Sequence, residues 1–250
     1  MSLTRTISHI YDAALALVYP QACRGCGASV EARADGAACA ACWHTTRIFD
    51  GTETLCWKCG AEAPGTVTEE KRREVFCRRC VEESFTAARA CGVYEGALRA
   101  SILALKREPQ VCARLAALMH AAQRRCPLDA ATLIVPVPLH PSRLRERGFN
   151  QAAELARALA QLSGLRLDEW SLTRSRHTER HRAGMDARAR RESVEQSFEV
   201  SRPRLITGER ILLVDDVLTT GATVSSCAQA LRAVGAEEVF VLTLARPATI

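Results

Sequence analysis

Apolar residues recur along this chain with different spacings, and the changes in spacing divide it into parts. Spacing of three and four residues, which places side chains on one face of a helix, runs from Thr4 to Val18 and stops at Pro20. The same spacing returns from Ala97 to Met119, where Pro109 separates two helices. Residues 23–80 are instead rich in cysteine, glycine and turn residues. We therefore predict a leading helix, an irregular module and a helical connector.

The rest of the chain alternates between short apolar runs and helical patterns. The predicted elements, in chain order, are strand Leu133–Val137, helix Gln151–Leu162, strand Ile211–Val214, helix Val224–Val234 and strand Val239–Leu244. Strands that alternate with helices indicate a parallel sheet covered by helices. We predict two parts, with an irregular module and its leading helix in residues 1–85 and the connector plus an α/β domain in residues 86–250.

Eight cysteines in the irregular module form four Cys-x-x-Cys pairs, which are Cys23/Cys26, Cys39/Cys42, Cys56/Cys59 and Cys77/Cys80. Two-residue spacing lets both thiolates of a pair bind one metal ion, and this pattern is typical of zinc ribbons. Two sequential zinc sites, each with four cysteine ligands, are the simplest interpretation, although a cross-braced pairing has the same spacing. Four protein ligands leave no open position, so each zinc would be structural, and a module this poor in apolar residues would need the metal to fold.

The twelve cysteines also bear on the cellular compartment. No secretory signal pattern is found at the N-terminus, and cysteines in a chain without such a signal indicate metal ligands or free thiols. No run approaches the roughly 20 apolar residues of a membrane-spanning helix. We therefore expect a cytoplasmic protein without membrane insertion.

The positive charge of the chain is concentrated in one segment. The net charge is +6, and residues 140–191 hold twelve arginines against six acidic side chains. A solvated surface would account for any single arginine, but together they suit a polyanion such as pyrophosphate, a nucleotide or a nucleic acid.

The most informative segment is residues 211–223, Ile-Leu-Leu-Val-Asp-Asp-Val-Leu-Thr-Thr-Gly-Ala-Thr. A buried strand is followed by the acids Asp215 and Asp216, a loop of small and hydroxylated residues, and the start of a helix. Loop amides and the helix N-terminus can hold a phosphate, while the carboxylates can bind sugar hydroxyls or help to hold hydrated Mg²⁺. This combination predicts a site for a ribose 5-phosphate donor.

A second polar segment follows the strand Leu133–Val137. Prolines stiffen the loop after this strand, and arginines follow at positions 143, 145 and 147 before the next helix. Arginine side chains at a strand end suit a pyrophosphate group, for which Arg143 and Arg147 are the candidates.

Both segments resemble known families. Residues 211–223 resemble the phosphoribosyl pyrophosphate (PRPP) motif of type I phosphoribosyltransferases. Residues 135–151, with Val-Pro-Val-Pro-Leu, spaced arginines and Arg-Gly-Phe-Asn-Gln, are similar to the signature of the competence-related ComF family. Together with the cysteine pairs, the resemblance covers nearly the whole chain. It implies a type I phosphoribosyltransferase-like parallel sheet flanked by helices, with an N-terminal double zinc ribbon.

The resemblance also implies roles for individual residues. The loop Thr219, Thr220, Gly221, Ala222 and Thr223 would bind the 5-phosphate of PRPP. Asp215 and Asp216 would bind the ribose hydroxyls and stabilise positive charge in the transition state. Arg143, Arg147 and Mg²⁺ would neutralise the leaving pyrophosphate, and the acceptor base is not readable from the sequence.

Two further segments match the family less completely. In residues 172–198, which resemble the hood loop of phosphoribosyltransferases, Thr178, Arg190 and Phe198 keep the pattern. His181 and Ser193 stand where the family has amide side chains. The stretch from Tyr94 to Lys106 resembles the family's linker helix, where Lys106 is either a solvated side chain or a substrate contact.

Three functions stay open at this point. The chain is a PRPP-dependent phosphoribosyltransferase linked to natural competence and DNA uptake, a single-stranded-DNA-handling protein that uses the same fold, or a PRPP sensor without turnover. The residues that bind PRPP would serve both the enzyme and the sensor.

Overall fold

The structure is a computed structural model that describes residues 21–174 and 198–248. The predicted leading helix lies outside the described residues. The same holds for Thr178, His181, Arg190 and Ser193 of the hood segment.

The described chain contains two sheets. In chain order, its strands are β1 (Ala87–Val93), β2 (Leu133–Pro136), β3 (Arg166–Leu167), β4 (Leu172–Arg174), β5 (Phe198–Val200), β6 (Arg210–Val217) and β7 (Glu238–Arg246). Five of them form a central parallel sheet with the strand order β1-β7-β6-β2-β3, while β4 and β5 form a separate antiparallel pair. The carboxyl ends of β2 and β6 lie side by side, because Pro136 pairs with Val214. The loops that follow these two strands therefore meet at one edge of the sheet.

The helices of the described residues are α1 (Ala40–Thr45), α2 (Gly96–Leu105), α3 (Ala113–Gln123), α4 (Pro141–Arg147), α5 (Gln151–Ser163) and α6 (Ala222–Ala233). Local sequence explains the ends of α5. The Asn150 side chain accepts a hydrogen bond from the Ala152 amide at 3.1 Å, and Gly164 ends the helix with a φ of 72°. None of these helices is long and apolar enough to cross a lipid bilayer.

The central sheet carries a different hydrophobic core on each face. Leu212 and Val214 of β6 pack on one face with residues of α2, α3 and α5, and Ile211 and Leu213 pack on the other with residues of α6. We call them the α5 face and the α6 face. A fully buried side chain of this size stabilises the fold by about 1.5–3 kcal/mol. The two faces follow from the period-two alternation of side chains along a strand.

The structure confirms the predicted parallel α/β architecture and the helix pair broken at Pro109, but it corrects several details. The strand Ile211–Val214 is longer than predicted, because pairing with β7 continues as far as Val217 and Ala245. Asp215 and Asp216 therefore lie within the last residues of β6 and not beyond the strand. The arginines after β2 lie on helix α4, whereas the sequence predicts a loop, because Pro141 occupies its first turn and His140 caps it.

Strand β1 is absent from the elements that the sequence predicts. Its sequence Ala-Ala-Arg-Ala-Cys-Gly-Val consists mostly of small residues, which carry little of the apolar signal of a buried strand. Nevertheless, it pairs with β7 from Phe240 to Arg246, and most of its side chains are buried. Sheet pairing rather than side-chain preference determines this strand.

Candidate functional site

The acidic pair of β6 divides between the two faces of the sheet. Asp216 is 7% exposed and lies on the α5 face, where Lys106 Nζ is 3.1 Å from its Oδ2 atom. Gln151, the first residue of α5, donates its Nε2 hydrogen to the same Oδ2 at 3.5 Å. Lys106 directly follows α2, so three separate elements meet at this one carboxylate. Burial strengthens the attraction between these two charges, while the loss of water around them opposes it.

Asp215 lies on the other side of the strand and is partly buried. Its Oδ1 atom accepts a hydrogen bond from the Asp216 amide at 2.8 Å, and no cation of the described residues pairs with it. Loss of water around the carboxyl, followed by repulsion from the Asp216 carboxylate, raises the pKa of Asp215 to about 8. The Lys106 charge opposes this rise only in part. Asp215 is therefore a carboxyl group that lacks a counter-charge.

Residues 219–223, which we call the phosphate loop after the role predicted for them, begin two residues after the end of β6 and lead into α6. Gly221 is the residue before the helix and has a φ of 87°, a backbone conformation that glycine adopts without strain. The Ala222 amide lies 3.4 Å from Thr220 Oγ1. Within the part of the chain that the structure describes, the amides of Thr219, Thr220, Gly221 and Thr223 donate to no protein acceptor. A helix start with unused N–H groups and small neighbours can hold an anion.

A cavity of about 760 Å³ opens beside the phosphate loop. Its opposite wall comes from the cysteine module and includes Cys59, Cys77 and Cys80 together with Arg78 and Arg79. The Glu83 carboxylate also lies there, since a Cβ atom placed on Gly221 would be 3.2 Å from its Oε1. The phosphate loop is thus bordered by the cysteine module on its open side.

The two arginines predicted for pyrophosphate occupy different positions. Arg147 donates a hydrogen bond to the Gln151 side chain, which connects it to Asp216. Arg143 is exposed on α4 and forms no ion pair or hydrogen bond with the acidic pair in the described chain. The structure therefore brings Arg147, but not Arg143, into contact with the network around Asp216.

Eight cysteines form two separate clusters, in each of which the four Sγ atoms lie within 4.8 Å of one another. The first cluster holds Cys23, Cys26, Cys39 and Cys42, and the second holds Cys56, Cys59, Cys77 and Cys80. The pairing is therefore sequential, and the cross-braced alternative is wrong. The domain boundary at residue 85 stays a prediction.

The geometry of both clusters suits thiolate ligands of a metal. The amides of Gly25 and Cys39 point to Cys23 Sγ at 3.4 and 3.3 Å, and the Cys77 amide points to Cys56 Sγ at 3.3 Å. A hydrogen bond from the Cys59 thiol, which outweighs burial, lowers the pKa of Cys56 to about 4. Four sulfur atoms at these separations, with amides that stabilise negative sulfur, fit a tetrahedral zinc ion. The cysteine sites thus satisfy the chemistry that their spacing predicts.

The sequence motifs miss two residues of the site and leave a third undecided. Gln151 ends the Arg-Gly-Phe-Asn-Gln string, but the sequence assigns it no role in the site, and Glu83 belongs to no motif and is marked only by its place after a cysteine pair. The sequence leaves Lys106 open between a solvated side chain and a substrate contact. The structure places it on Asp216.

Comparisons of the sequence with family models agree with this organisation. A family model described as a double zinc ribbon domain matches residues 14–81, and one described as a phosphoribosyl transferase domain matches residues 144–249. Among solved structures, a glutamine PRPP amidotransferase from B. subtilis is similar at 21% identity and a TM-score of 0.36. That match covers 51% of this chain and 25% of the other chain.

Curated relatives are similar over more of the chain. The DNA utilization protein YhgH of Escherichia coli strain K12 is 32% identical over 217 residues, which cover 83% of this chain and 89% of that protein. Competence protein F of Haemophilus influenzae is 35% identical over 50% of this chain and 55% of its own length. Competence protein ComFC of Bacillus subtilis is 34% identical over 47% of this chain and 46% of its own length. With both domain matches and these relatives, the chain belongs to the ComF family.

Proposed function

We propose that this protein binds PRPP together with Mg²⁺ and transfers its phosphoribosyl group to a nitrogen-containing acceptor, with release of pyrophosphate. The observation that carries the proposal is the phosphate loop, whose unused amides open a helix directly after two aspartates. Phosphate, sugar hydroxyls and a cation need these groups within one small region, and PRPP bound together with Mg²⁺ would present all three.

The phosphate loop would bind the 5-phosphate of the ligand. Amides of Thr219, Thr220, Gly221 and Thr223 would donate to the phosphate oxygens, and the threonine hydroxyls would add further donors. The N-terminus of α6 favours a negative charge at this place.

The acidic pair would bind the ribose. Asp215 and Asp216 would accept hydrogen bonds from the sugar hydroxyls and stabilise the positive charge that develops when the bond at the ribose C1 breaks. Asp216 is held in place by Lys106 and Gln151, so its orientation is fixed before the ligand arrives.

The basic residues near Asp216 would face the leaving pyrophosphate. Lys106 and Arg147 approach Asp216 from α2 and α4, one directly and one through Gln151. A bound pyrophosphate would compete with Asp216 for the ammonium group of Lys106. Arg143 would join them only if its side chain turned towards the ligand.

Mg²⁺ would neutralise charge on the diphosphate when it is bound. The residues present fit such a cation, because Asp215 is a carboxyl group without a counter-charge beside a second carboxylate. Asp215 and Asp216 would hold the hydrated ion. The two clusters of four cysteines would each hold one structural Zn²⁺.

Calorimetric titration of the purified protein with PRPP and Mg²⁺ tests binding, and a screen of nucleobases for pyrophosphate release tests transfer. Asp216→Asn should weaken PRPP binding by about tenfold to a hundredfold, since a hydrogen bond to a charged group contributes about 1.5–3 kcal/mol. Asp129→Asn, which removes the same charge from an exposed position, is the matched control. Absence of PRPP binding would exclude both the transferase and a PRPP sensor, while binding without release for any acceptor would leave the sensor.

The physiological setting that we propose is the handling of DNA taken up during natural competence. The names of the relatives support it, since they read DNA utilization protein and competence protein. A purely non-catalytic role on single-stranded DNA is the second candidate. It predicts salt-dependent DNA binding that does not change when Asp216 is replaced by Asn.

A further inference from the structure

A second cavity, of about 710 Å³, lies between residues 49–73, strand β1 and the residues that follow α3. Its lining shares no residue with the cavity at the phosphate loop. The lining includes the four arginines Arg72, Arg73, Arg89 and Arg125. We call it the arginine cavity. Its apolar side chains include Phe49, Leu55 and Trp57.

The arginines of this cavity differ in their partners from the arginines elsewhere in the fold that form ion pairs. Arg24, Arg114 and Arg166 each have a carboxylate oxygen within 2.5–2.8 Å. In the described parts of the chain, none of the four cavity arginines has a carboxylate within ion-pair distance.

Four acidic residues line the same cavity, of which Glu69 and Glu70 are exposed, while Asp50 and Glu53 are used for the local turn. Glu53 accepts hydrogen bonds from the amides of Asp50 and Gly51, both at 3.0 Å. Asp50 accepts from the Thr52 amide and hydroxyl at 2.8 and 2.7 Å. The carboxylates of Asp50 and Glu53 stabilise backbone N–H groups, and within the described residues none of the four acids lies within ion-pair distance of a cavity arginine.

Arg89 shows most clearly how a cavity arginine is held without a paired carboxylate. It lies on strand β1, and its NH1 group donates to the carbonyls of Trp57 and Ala88, both at 2.8 Å. Removal from water lowers the pKa of Arg89 to about 10, although negative charge on the sulfur atoms of Cys56, Cys126 and Cys59 would act in the opposite direction, and repulsion from Arg125 adds a smaller lowering. A guanidinium group has five N–H donors, so Arg89 retains donors beyond those that hold the backbone. A partly buried charge of this kind is most stable with an anion beside it.

Aromatic contacts hold two of the arginines in place. The guanidinium carbons of Arg89 and Arg73 lie 5.1 and 5.4 Å from the centre of the Trp57 ring. Arg125 donates to the Phe49 carbonyl at 2.9 Å. These contacts preorganise the donors of Arg89 and Arg125, which lowers the entropic cost of binding a ligand, while the side chain of Arg73 is exposed.

We propose that the arginine cavity is a second binding site, for a phosphorylated small molecule whose phosphate or diphosphate group lies among Arg73, Arg89 and Arg125. The volume is within the range of small-molecule sites, and planar guanidinium groups suit phosphate oxygens. Phe49 and Leu55 would pack against the organic part of the ligand. This site does not depend on the phosphate loop, since the two cavities have separate linings.

The test is calorimetric titration of the full-length, zinc-loaded protein with inorganic pyrophosphate and, separately, with adenosine 5'-monophosphate. The wild-type protein should show two anion sites. Arg125→Gln should lose one of them or weaken it at least about tenfold, because a charge-assisted hydrogen bond contributes about 1.5–3 kcal/mol. Arg124→Gln removes the same charge from the exposed neighbouring residue outside the cavity and should keep both sites.

Further variants separate this proposal from the proposed function. Arg73→Gln is a second cavity variant that leaves the Arg125–Phe49 contact intact, and it should also weaken the site. Gly221→Ala should weaken only the site at the phosphate loop, by about tenfold. A single wild-type site that survives Gly221→Ala and is lost in Arg125→Gln would support the arginine cavity and count against the PRPP site.

Titrations of Arg125→Gln and Arg73→Gln that match Arg124→Gln would overturn the proposal. Tighter binding of the nucleotide than of pyrophosphate would assign the cavity to organic phosphates.

Discussion

The two cysteine clusters have the same ligands and similar spacing, yet they occupy different places in the fold. The first cluster belongs to the core of the α5 face, where Cys23, Cys39 and Trp43 are at most 3% exposed and pack with residues of α2 and α3. The second cluster lies beside β1 and the phosphate loop and lines the cavity there through Cys59, Cys77 and Cys80. One cluster is part of the folded core, and the other forms the wall of a candidate site.

Contacts of the second cluster explain why it can play this role. The Lys58 carbonyl accepts from the Ala88 amide at 2.6 Å, and Arg246 donates to the Cys59 carbonyl at 2.8 Å. These bonds attach the cluster to two neighbouring strands, to β1 through its backbone and to β7 through the Arg246 side chain. Its own apolar residues Phe76 and Val81 stay exposed, at 61% and 71%. Local spacing thus builds each cysteine knuckle, while the surrounding fold decides whether it supports a core or a site.

The largest expected effect comes from removal of one ligand from each cluster. Structural zinc contributes about 10 kcal/mol or more, which approaches or exceeds the whole stability of a typical domain. Cys39→Ser should therefore abolish the cooperative unfolding transition, because this cluster shares the core of the α5 face. Cys77→Ser should lower Tm but leave a cooperative transition, and it should weaken PRPP binding. Circular dichroism, zinc content and calorimetry measure these effects.

The matched control for these variants is Cys126→Ser, which changes an exposed cysteine outside both clusters. It should keep the zinc content, Tm and PRPP affinity of the wild type. Equal loss of the transition in Cys39→Ser and Cys77→Ser would contradict the distinction between the clusters.

The acidic residues of the two faces should respond differently to pH. The pKa of Asp215 is about 8 in the folded protein and near 3.8 without the fold. Between these values the folded state binds one more proton, so stability should fall as pH rises, by at most about 1.4 kcal/mol per pH unit. Asp215→Asn should remove this dependence and raise Tm at pH 8 more than at pH 5. Thermal unfolding in the absence of divalent cations checks it.

The groups around Asp215 distinguish the expected effect of its substitution from that of Asp216. Asp216 and Lys106 act on it from the α5 face, and Cys227 of α6 lies on its own side of the strand. Asp216→Asn should instead lower Tm at neutral pH, because Lys106 would lose its ion pair. A pH profile of Asp215→Asn that matches the wild type would contradict the assignment.

Those parts of this arrangement that depend on local pattern can be predicted from the sequence. The apolar runs of β2, β6 and β7 and the periodic helices α2, α3 and α5 have strong signals, as do the Cys-x-x-Cys pairs and the phosphate loop. Strand β1 lacks such a signal because its residues are small, and α4 is hidden by Pro141 and its three arginines. The meeting of Lys106 with Asp216 and of Glu83 with Gly221 depends on tertiary packing between distant segments, which no local spacing encodes.

Two glycines with similar backbone angles allow a substitution in the phosphate loop to be compared with one beside the first cluster. Gly221 and Gly27 have φ values of 87° and 80°, so an alanine at either position should cost about 1–2 kcal/mol. An added Cβ has open space at Gly27 but lies 3.2 Å from Glu83 at Gly221. Gly27→Ala should therefore only lower Tm, while Gly221→Ala should also weaken PRPP binding by about tenfold, since backbone approach to the ligand would be blocked. Calorimetry of both variants decides whether the loop has this role.

The smallest effect is expected from Glu83, which follows the second cluster and lies at the phosphate loop. Its carboxylate is near the place where a 5-phosphate would bind, and the Glu83 amide donates to the Cys80 carbonyl at 3.2 Å. In a water-filled cavity a like charge at this range contributes about 1 kcal/mol or less, so Glu83→Gln should tighten PRPP binding only about twofold to fivefold. The gain should shrink as salt rises, because screening weakens the repulsion that the variant removes.

Glu82→Gln removes the same charge from the exposed neighbouring position and should leave the affinity unchanged. If both variants bind PRPP alike at low salt, the second cluster does not influence the charge at the loop. It would then resemble the first cluster in being structural only.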